Sequence, residues 1–343
     1  MAHRLLLIKL HNYWLLMVFI NMNRHTGQRI EITKSLSPKD LEEYAESSIE
    51  VLIPAHNSSR SIGKVIVNLE SQILPSNSQL KIVVCANACE DSTVYVARNA
   101  LNHASKTNKN ISSSLIATSK PGEAQALNRM LKEAISEIII VINDDVEPSQ
   151  YSLAALYIAM KKNPKLCAIG IPSRPFPNFA GNKQILAVRI ANQISQLYLE
   201  KDITIVGRMY AFRKSVINHF PNIMSEDNFL TYVSLVRSSG YGIVKDGQSY
   251  VYHKPPSTYS DVFSQTFMHS LSGVQFFREY PDAIDMFYSI EESMRIKGKI
   301  ADEQGIRDVA QKIQNCCWQM AVLVDKLNPV KGSLRERIKS TVS

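Results

Sequence analysis

The run Ile138-Ile139-Ile140-Val141-Ile142 constrains this chain more than any other stretch. Five β-branched residues in a row fit a strand buried on both faces, and such strands belong to parallel sheets with helices on each side. The run ends in Asn143-Asp144-Asp145-Val146-Glu147-Pro148. Carboxylates there leave the core at the carboxyl end of a strand, where open α/β sheets hold their ligands. A carboxylate pair in that place suits a divalent cation bound through oxygen. A plainer reading stands beside it, in which Asp145 or Glu147 caps a helix opened by Pro148-Ser149-Gln150.

The neighbouring sequence repeats one unit. Residues 49 to 53 read as a strand that stops at Pro54, followed by a polar turn and a helix with Ile62, Val65, Ile66, Leu69 and Ile73 on one face. Residues 80 to 85 form a second strand, 86 to 91 its turn and 92 to 101 its helix. A short strand at 114 to 117 leads to Lys120-Pro121-Gly122-Glu123, which starts a helix that turns Leu127, Met130, Leu131 and Ala134 inward. The isoleucine run follows as the fourth strand. This alternation with short loops predicts a mostly parallel, doubly wound α/β sheet with right-handed crossovers and helices on both faces. Beyond Pro148 the expectations are a helix to residue 160, a strand at 168 to 171, a proline-rich loop and a helix from 185 to 199. An extended segment at 204 to 212 comes next, then the acidic turn Ser225-Glu226-Asp227-Asn228 and a helix at 229 to 237. Strands at 242 to 245 and 249 to 253, a helix at 259 to 279 and further helices to 328 complete the chain.

With 343 residues there is room for one large α/β domain with additions. The division expected is a lead-in over 1 to 46, the α/β domain over 47 to 280 and a C-terminal helical extension over 281 to 343. Within the lead-in, Ser37-Pro38-Lys39-Asp40 opens a short helix by its cap and N1 proline. A net charge of +8, spread along the chain, favours anionic partners. No nucleic-acid motif accompanies it, so no nucleic-acid partner is expected. The five cysteines show neither a paired framework nor zinc spacing and read as buried thiols of a reducing, cytoplasmic compartment. Residues 5 to 21 are apolar but interrupted by Lys9, His11 and Asn12, too short a clean run to span a bilayer. They fit either a shallow interfacial anchor giving peripheral membrane contact, or a start of translation that properly lies at Met22.

Five motifs occur in a telling order: Pro54-Ala55-His56-Asn57, Asn87-Ala88-Cys89-Glu90-Asp91-Ser92-Thr93, Lys120-Pro121-Gly122 with Ala126-Leu127-Asn128, Asn143-Asp144-Asp145, and Glu226-Asp227. Over residues 48 to 275 this series resembles the nucleotide-sugar glycosyltransferases of family 2, which have the GT-A fold. The resemblance implies a UDP- or GDP-linked sugar donor, an acceptor of unknown identity, and Mn2+ or Mg2+ as cofactor. It implies that Pro54, His56 and Asn57 line the base and ribose, that Asn87 bonds the base edge, and that Lys120 approaches the ribose or phosphates. Asp145 would ligate the metal, with Asn143 and His253 as further ligands and Asp144 on the donor side. Asp227 would be the general base, assisted by Glu226. For single residues the plainer readings are a helix cap for Asp227, a hydrogen-bonded structural histidine for His253 and a solvated loop lysine for Lys120.

Three departures qualify the match. Asn143 stands where the metal motif has its first acid, and Ser58 stands where the first turn often carries one. Gln265-Thr266-Phe267-Met268-His269 replaces the Gln-x-x-Arg-Trp of processive polymer synthases, so transfer of one or a few sugars is expected, with inversion as the resemblance implies. Two rivals remain at this stage. A nucleotidyltransferase would carry a glycine-rich loop after the first strand, and residues 54 to 61 contain no glycine. A non-catalytic sugar-nucleotide binding protein of the same fold would explain Asn143.

Overall fold

The computed structural model describes residues 29–177, 186–191, 207–222, 226–237, 239–283 and 304–327. In chain order its elements are β1 (Arg29–Ile32), α1 (Pro38–Glu43), β2 (Ser48–Ala55), α2 (Ile62–Glu70), β3 (Gln79–Asn87), α3 (Thr93–Thr107), β4 (Ile111–Thr118), α4 (Glu123–Glu133), β5 (Ile138–Ile142) and β6 (Val146–Pro148). There follow α5 (Ser152–Lys162), β7 (Leu166–Gly170), β8 (Ser173–Pro175), β9 (Met209–Arg213), α6 (Glu226–Val236), β10 (Gly240–Val244), β11 (Val251–His253), α7 (Tyr259–Glu279) and α8 (Gln304–Leu327).

The main sheet has the order β1-β10-β7-β9-β5-β2-β3-β4. All five residues of β5 are buried, as an apolar run demands. Its neighbours are β2, parallel, and β9, antiparallel. One apolar layer joins the sheet to α2, α3 and α5, and a second joins it to α4, α6 and the end of α7. Two dry layers flanking one sheet are what a doubly wound α/β fold requires. A capping box closes α1, with Ser37 and Asp40 each bonding the other's backbone N–H.

Several elements differ from the sequence reading. Residues 146–148 are not a helix start; they form β6, paired antiparallel with β11 in a second sheet ordered β6-β11-β8. The helix opens only at Ser152, and its N-cap Tyr151 makes no side-chain cap bond, so neither Asp145 nor Glu147 caps it. The extended segment near residue 209 lies antiparallel between β5 and β7, a direction that local pattern does not encode. Within the lead-in, β1 adds an edge strand against β10. Gly242 admits it: a Cβ there would stand 2.5 Å from the Ile30 carbonyl oxygen. Of the helix expected at 185 to 199, residues 186–191 are helical and the rest lies outside the described residues, as do residues 5 to 21, 204 to 206 and 331 to 339. Among the described residues no helix is long and apolar enough to cross a membrane.

One buried charge holds the lower end of the sheet. Glu50, at the start of β2, is fully buried; it pairs with Lys81 at 2.7 Å and accepts the N–H groups of Ile135 and Ser136, each at 3.0 Å. Burial pushes its carboxyl up, but Lys81 and the two N–H donors outweigh it and hold it below the usual range. Glu50→Ala leaves Lys81 and two amides without their partner and is expected to cost about 3 kcal/mol, read as a lower urea midpoint.

Candidate active site

At the carboxyl end of the sheet, the turns after β2 and β3 are bonded into one block. Ser58 N–H donates to Thr93 Oγ1 at 2.6 Å, and Glu90 N–H donates to Asn57 Oδ1 at 2.8 Å. Asp91 accepts from Ser59 N at 3.1 Å, from Thr93 N at 2.9 Å and from the Thr93 hydroxyl. Burial pushes the Asp91 carboxyl up, but the bonds from Thr93 and Ser59 outweigh it and hold it at about 2. The carboxylate therefore stays ionised and keeps its three donors. Asp91 lay inside a recognised motif, yet its role as the joint between the two turns needs the structure to be seen.

Asn57 and Ala88 take the left-handed conformation at the tips of these turns, with φ of 50° and 47°. Asparagine tolerates it, whereas alanine does so at a cost. Ala88 occupies the glycine position of the resembling motif, and its N–H bond to Thr118 O at 2.7 Å fixes it there. Ala88→Gly is expected to raise stability by roughly 0.5 to 1 kcal/mol, measured as a higher melting temperature.

His56 and Asn87 come together inside the block. The His56 ring donates through Nδ1 to Asn87 O at 2.7 Å, so Nε2 carries the lone pair, and Asn57 Nδ2 approaches it at 3.3 Å. Asn87 is buried and donates Nδ2 to Ala55 O at 2.9 Å. Its Oδ1 is buried without a hydrogen-bond partner. What Asn87 has left to offer a ligand is thus an acceptor, suited to an N–H of a base. Pro54 is buried in β2 just below, while Lys120 is exposed in the loop after β4.

The tip of β5 joins this block through Asp144. Its Oδ2 accepts from His56 N at 3.0 Å and from the Ser58 hydroxyl. Ser58, a departure from the family pattern, thus serves here as the donor that ties the first turn to β5.

Asp145 is exposed at the start of the second sheet, and Val146 pairs with His253 across the β6–β11 ladder. His253 is 5% exposed. Burial and the Arg208 guanidinium push its ring down to about 4, against the opposing pull of the Asp145 carboxylate and of a bond to the Arg174 backbone. The ring is therefore neutral at pH 7, and its Nδ1 is buried with no hydrogen-bond partner. Asn143 Oδ1 is in the same condition, while Asn143 N–H bonds Arg208 O at 3.0 Å. Buried polar atoms without a partner are rare and costly in native proteins, and a water molecule or an ion can satisfy them. Arg208 was not singled out from the sequence; it belongs to no motif, and only its place just before β9 brings it to the tip of β5.

Glu226 and Asp227 open α6, and their side chains lie outside the described residues. The acidic turn and the helix of the sequence reading are thus one element whose first residues are the acids themselves.

Among solved structures, the mannosyltransferase PcManGT from Pyrobaculum calidifontis, in complex with GDP-Man and Mn2+, is similar with a TM-score of 0.60 at 15% identity, covering 96% of this chain and 99% of that one. Glucosyl-3-phosphoglycerate synthase from Mycobacterium tuberculosis, in complex with Mn2+, UDP-Glc and glycerol 3-phosphate, gives 0.49 at 14% identity, over 71% of this chain and 84% of that one. At such identities the first likeness speaks to fold alone. No curated protein matches the chain by sequence. The sequence model of glycosyl transferase family 2 matches residues 50–220. That span holds both bonded turns and the tip of β5, and by it the chain belongs to glycosyl transferase family 2, the nucleotide-sugar glycosyltransferases of GT-A fold.

Proposed function

We propose that the chain moves a sugar from a UDP- or GDP-linked donor to the hydroxyl of a discrete acceptor, with a divalent cation at the end of β5 and inversion by single displacement. The observation that carries this reading is His253: a neutral, buried imidazole whose Nδ1 lacks a hydrogen-bond partner and whose ring feels the charge of the Asp145 carboxylate. Asp145, His253 and the Asn143 amide oxygen would hold Mn2+ or Mg2+, and the mixed nitrogen and oxygen set favours Mn2+. Among the described residues no group of three or more His, Cys, Asp or Glu could hold an ion. The rest of the ion's shell would come from donor phosphate oxygens and water. When bound, such an ion neutralises the charge that grows on the leaving nucleoside diphosphate.

The chain's own residues carry the remainder. Asn87 Oδ1 accepts a base N–H, and the joined turns bearing His56 and Asn57 hold the nucleoside at fixed height over the sheet. Arg208 adds positive charge on the side where the diphosphate departs. Asp227 takes the proton from the acceptor hydroxyl as that oxygen bonds the anomeric carbon and the diphosphate oxygen leaves with the bonding pair. One displacement with one base inverts the anomeric centre.

The test is a donor screen with the full chain and Mn2+, scoring nucleoside diphosphate release and product anomeric configuration, with and without chelator. Release that depends on the cation, with an inverted product, is the expected result. Donor binding without turnover across a range of acceptors would favour the non-catalytic reading instead.

A further inference from the structure

Asn128 is an unusual residue for its place. It sits in the middle of α4, where asparagine is a poor helix former because its amide competes for backbone partners. Here the amide reaches a partner 92 residues away: Nδ2 donates to Phe220 O and Oδ1 accepts from Phe220 N, both at 2.7 Å. A side-chain amide thus stands in for one rung of a β-ladder and fixes both polar groups of a single backbone residue. Aspartate could accept but not donate, and would face the Phe220 carbonyl with a charge.

What the clamp holds is the support of α6. The Phe220 ring is 1% exposed and packs edge-on against Phe212 of β9 at 5.5 Å between centroids. It also meets Phe229, in the first turn of α6, at 6.0 Å between centroids. Phe229 in turn meets Tyr280 just after α7 at 5.9 Å. The opening of α6, where Asp227 stands, therefore rests on a ring whose backbone is held by Asn128.

We propose that Asn128 is a positioning residue for the transfer step, acting through Phe220 and Phe229 to set where α6 begins. The proposal rests on the assignment of Asp227 as the base. A base must reach the acceptor oxygen within hydrogen-bond distance, so a small shift of α6 lowers the chemical rate while the donor, bound at the turns after β2 and β3, is held as before.

The experiment is steady-state kinetics on the full chain carrying Asn128→Ala, Asn128→Asp, Phe220→Leu, Asp227→Ala and the double variants of the first and third with Asp227→Ala. Donor KM, nucleoside diphosphate Kd and melting temperature are measured beside kcat. The expected result is a fall of about tenfold or more in kcat for the Asn128 and Phe220 variants, with donor KM and diphosphate Kd within about twofold. On the Asp227→Ala background the same substitutions should cost almost nothing further, because the group they position is gone. Phe220→Leu keeps the backbone clamp and carries the test should Asn128→Ala fail to fold. Equal costs on both backgrounds, or kcat and diphosphate binding failing together, would overturn the proposal. If Asp227→Ala itself leaves kcat untouched, the base assignment falls, and that outcome is distinct from Asp227→Ala being crippled while Asn128→Ala stays harmless.

Discussion

Asp227→Asn should lower kcat by about a thousandfold while leaving donor KM and the melting temperature almost unchanged. An alcohol attacking an anomeric carbon must shed its proton as the bond forms, and an ionised carboxylate in reach of that oxygen is what the transition state gains and the ground state does not. Asparagine has the same shape and cannot take a proton. Asp227 stands in the first turn of α6, one residue inside its start at Glu226, so it is not the helix cap. Were a favourable charge at the helix N-terminus its only role, Asp227→Asn and Asp227→Ala would each cost about 0.3 to 1 kcal/mol of stability with little effect on rate. Glu226→Gln should cost far less than Asp227→Asn, since only one carboxylate is required by a single displacement. The measurement is kcat for product formation with saturating donor and Mn2+, alongside thermal melts of each variant.

How much of this was legible beforehand divides along the line between local and nonlocal causes. Strands β2, β3 and β5 and helices α2 to α4 announce themselves because burial on one or both faces writes a period into the sequence. That the acids after Ile142 leave the core at the carboxyl end of a buried strand was readable by position alone. Whether they capped a helix was not: Val146–Pro148 is a strand only because Val251–His253, a hundred residues on, supplies its partner. The direction of β9 and the edge strand β1 are likewise set by pairing partners far away, and β1 depends on the missing side chain of Gly242. The same holds in the site. His56, Asn57 and Asn87 were picked out as a group and do lie together, but Asp91 as their joint, Ser58 as the tie to Asp144, and Asn128 as the clamp on Phe220 are contacts of long sequence separation. Arg208 left no signal at all, being one basic residue in a mildly basic chain.

Asp145→Ala is expected to lower kcat/KM by about a hundredfold or more and to remove the response to added Mn2+, with little change in stability because the side chain is exposed. The reasoning turns on charge. Of the three groups that would hold the ion, His253 is neutral and Asn143 contributes an amide oxygen, so Asp145 supplies the only full negative charge. Hard divalent cations depend on anionic oxygen, and the substitution leaves a site that neither attracts the ion nor offsets the Arg208 charge. Asp145→Asn, equal in size, should fail almost as badly, whereas His253→Ala should weaken Mn2+ binding and be partly rescued by excess metal. The pH dependence follows the same logic. With its folded pKa depressed to about 4, His253 contributes stability above its unfolded value of 6.5 that is lost as pH falls from there toward 4. Over that interval the folded ring is still largely neutral and able to take an ion, so added Mn2+ should raise the melting temperature of the wild-type chain at pH 5.5 and leave that of Asp145→Ala where it was. An equal rise in both would place the ion elsewhere, and with it the neutralisation of the leaving diphosphate.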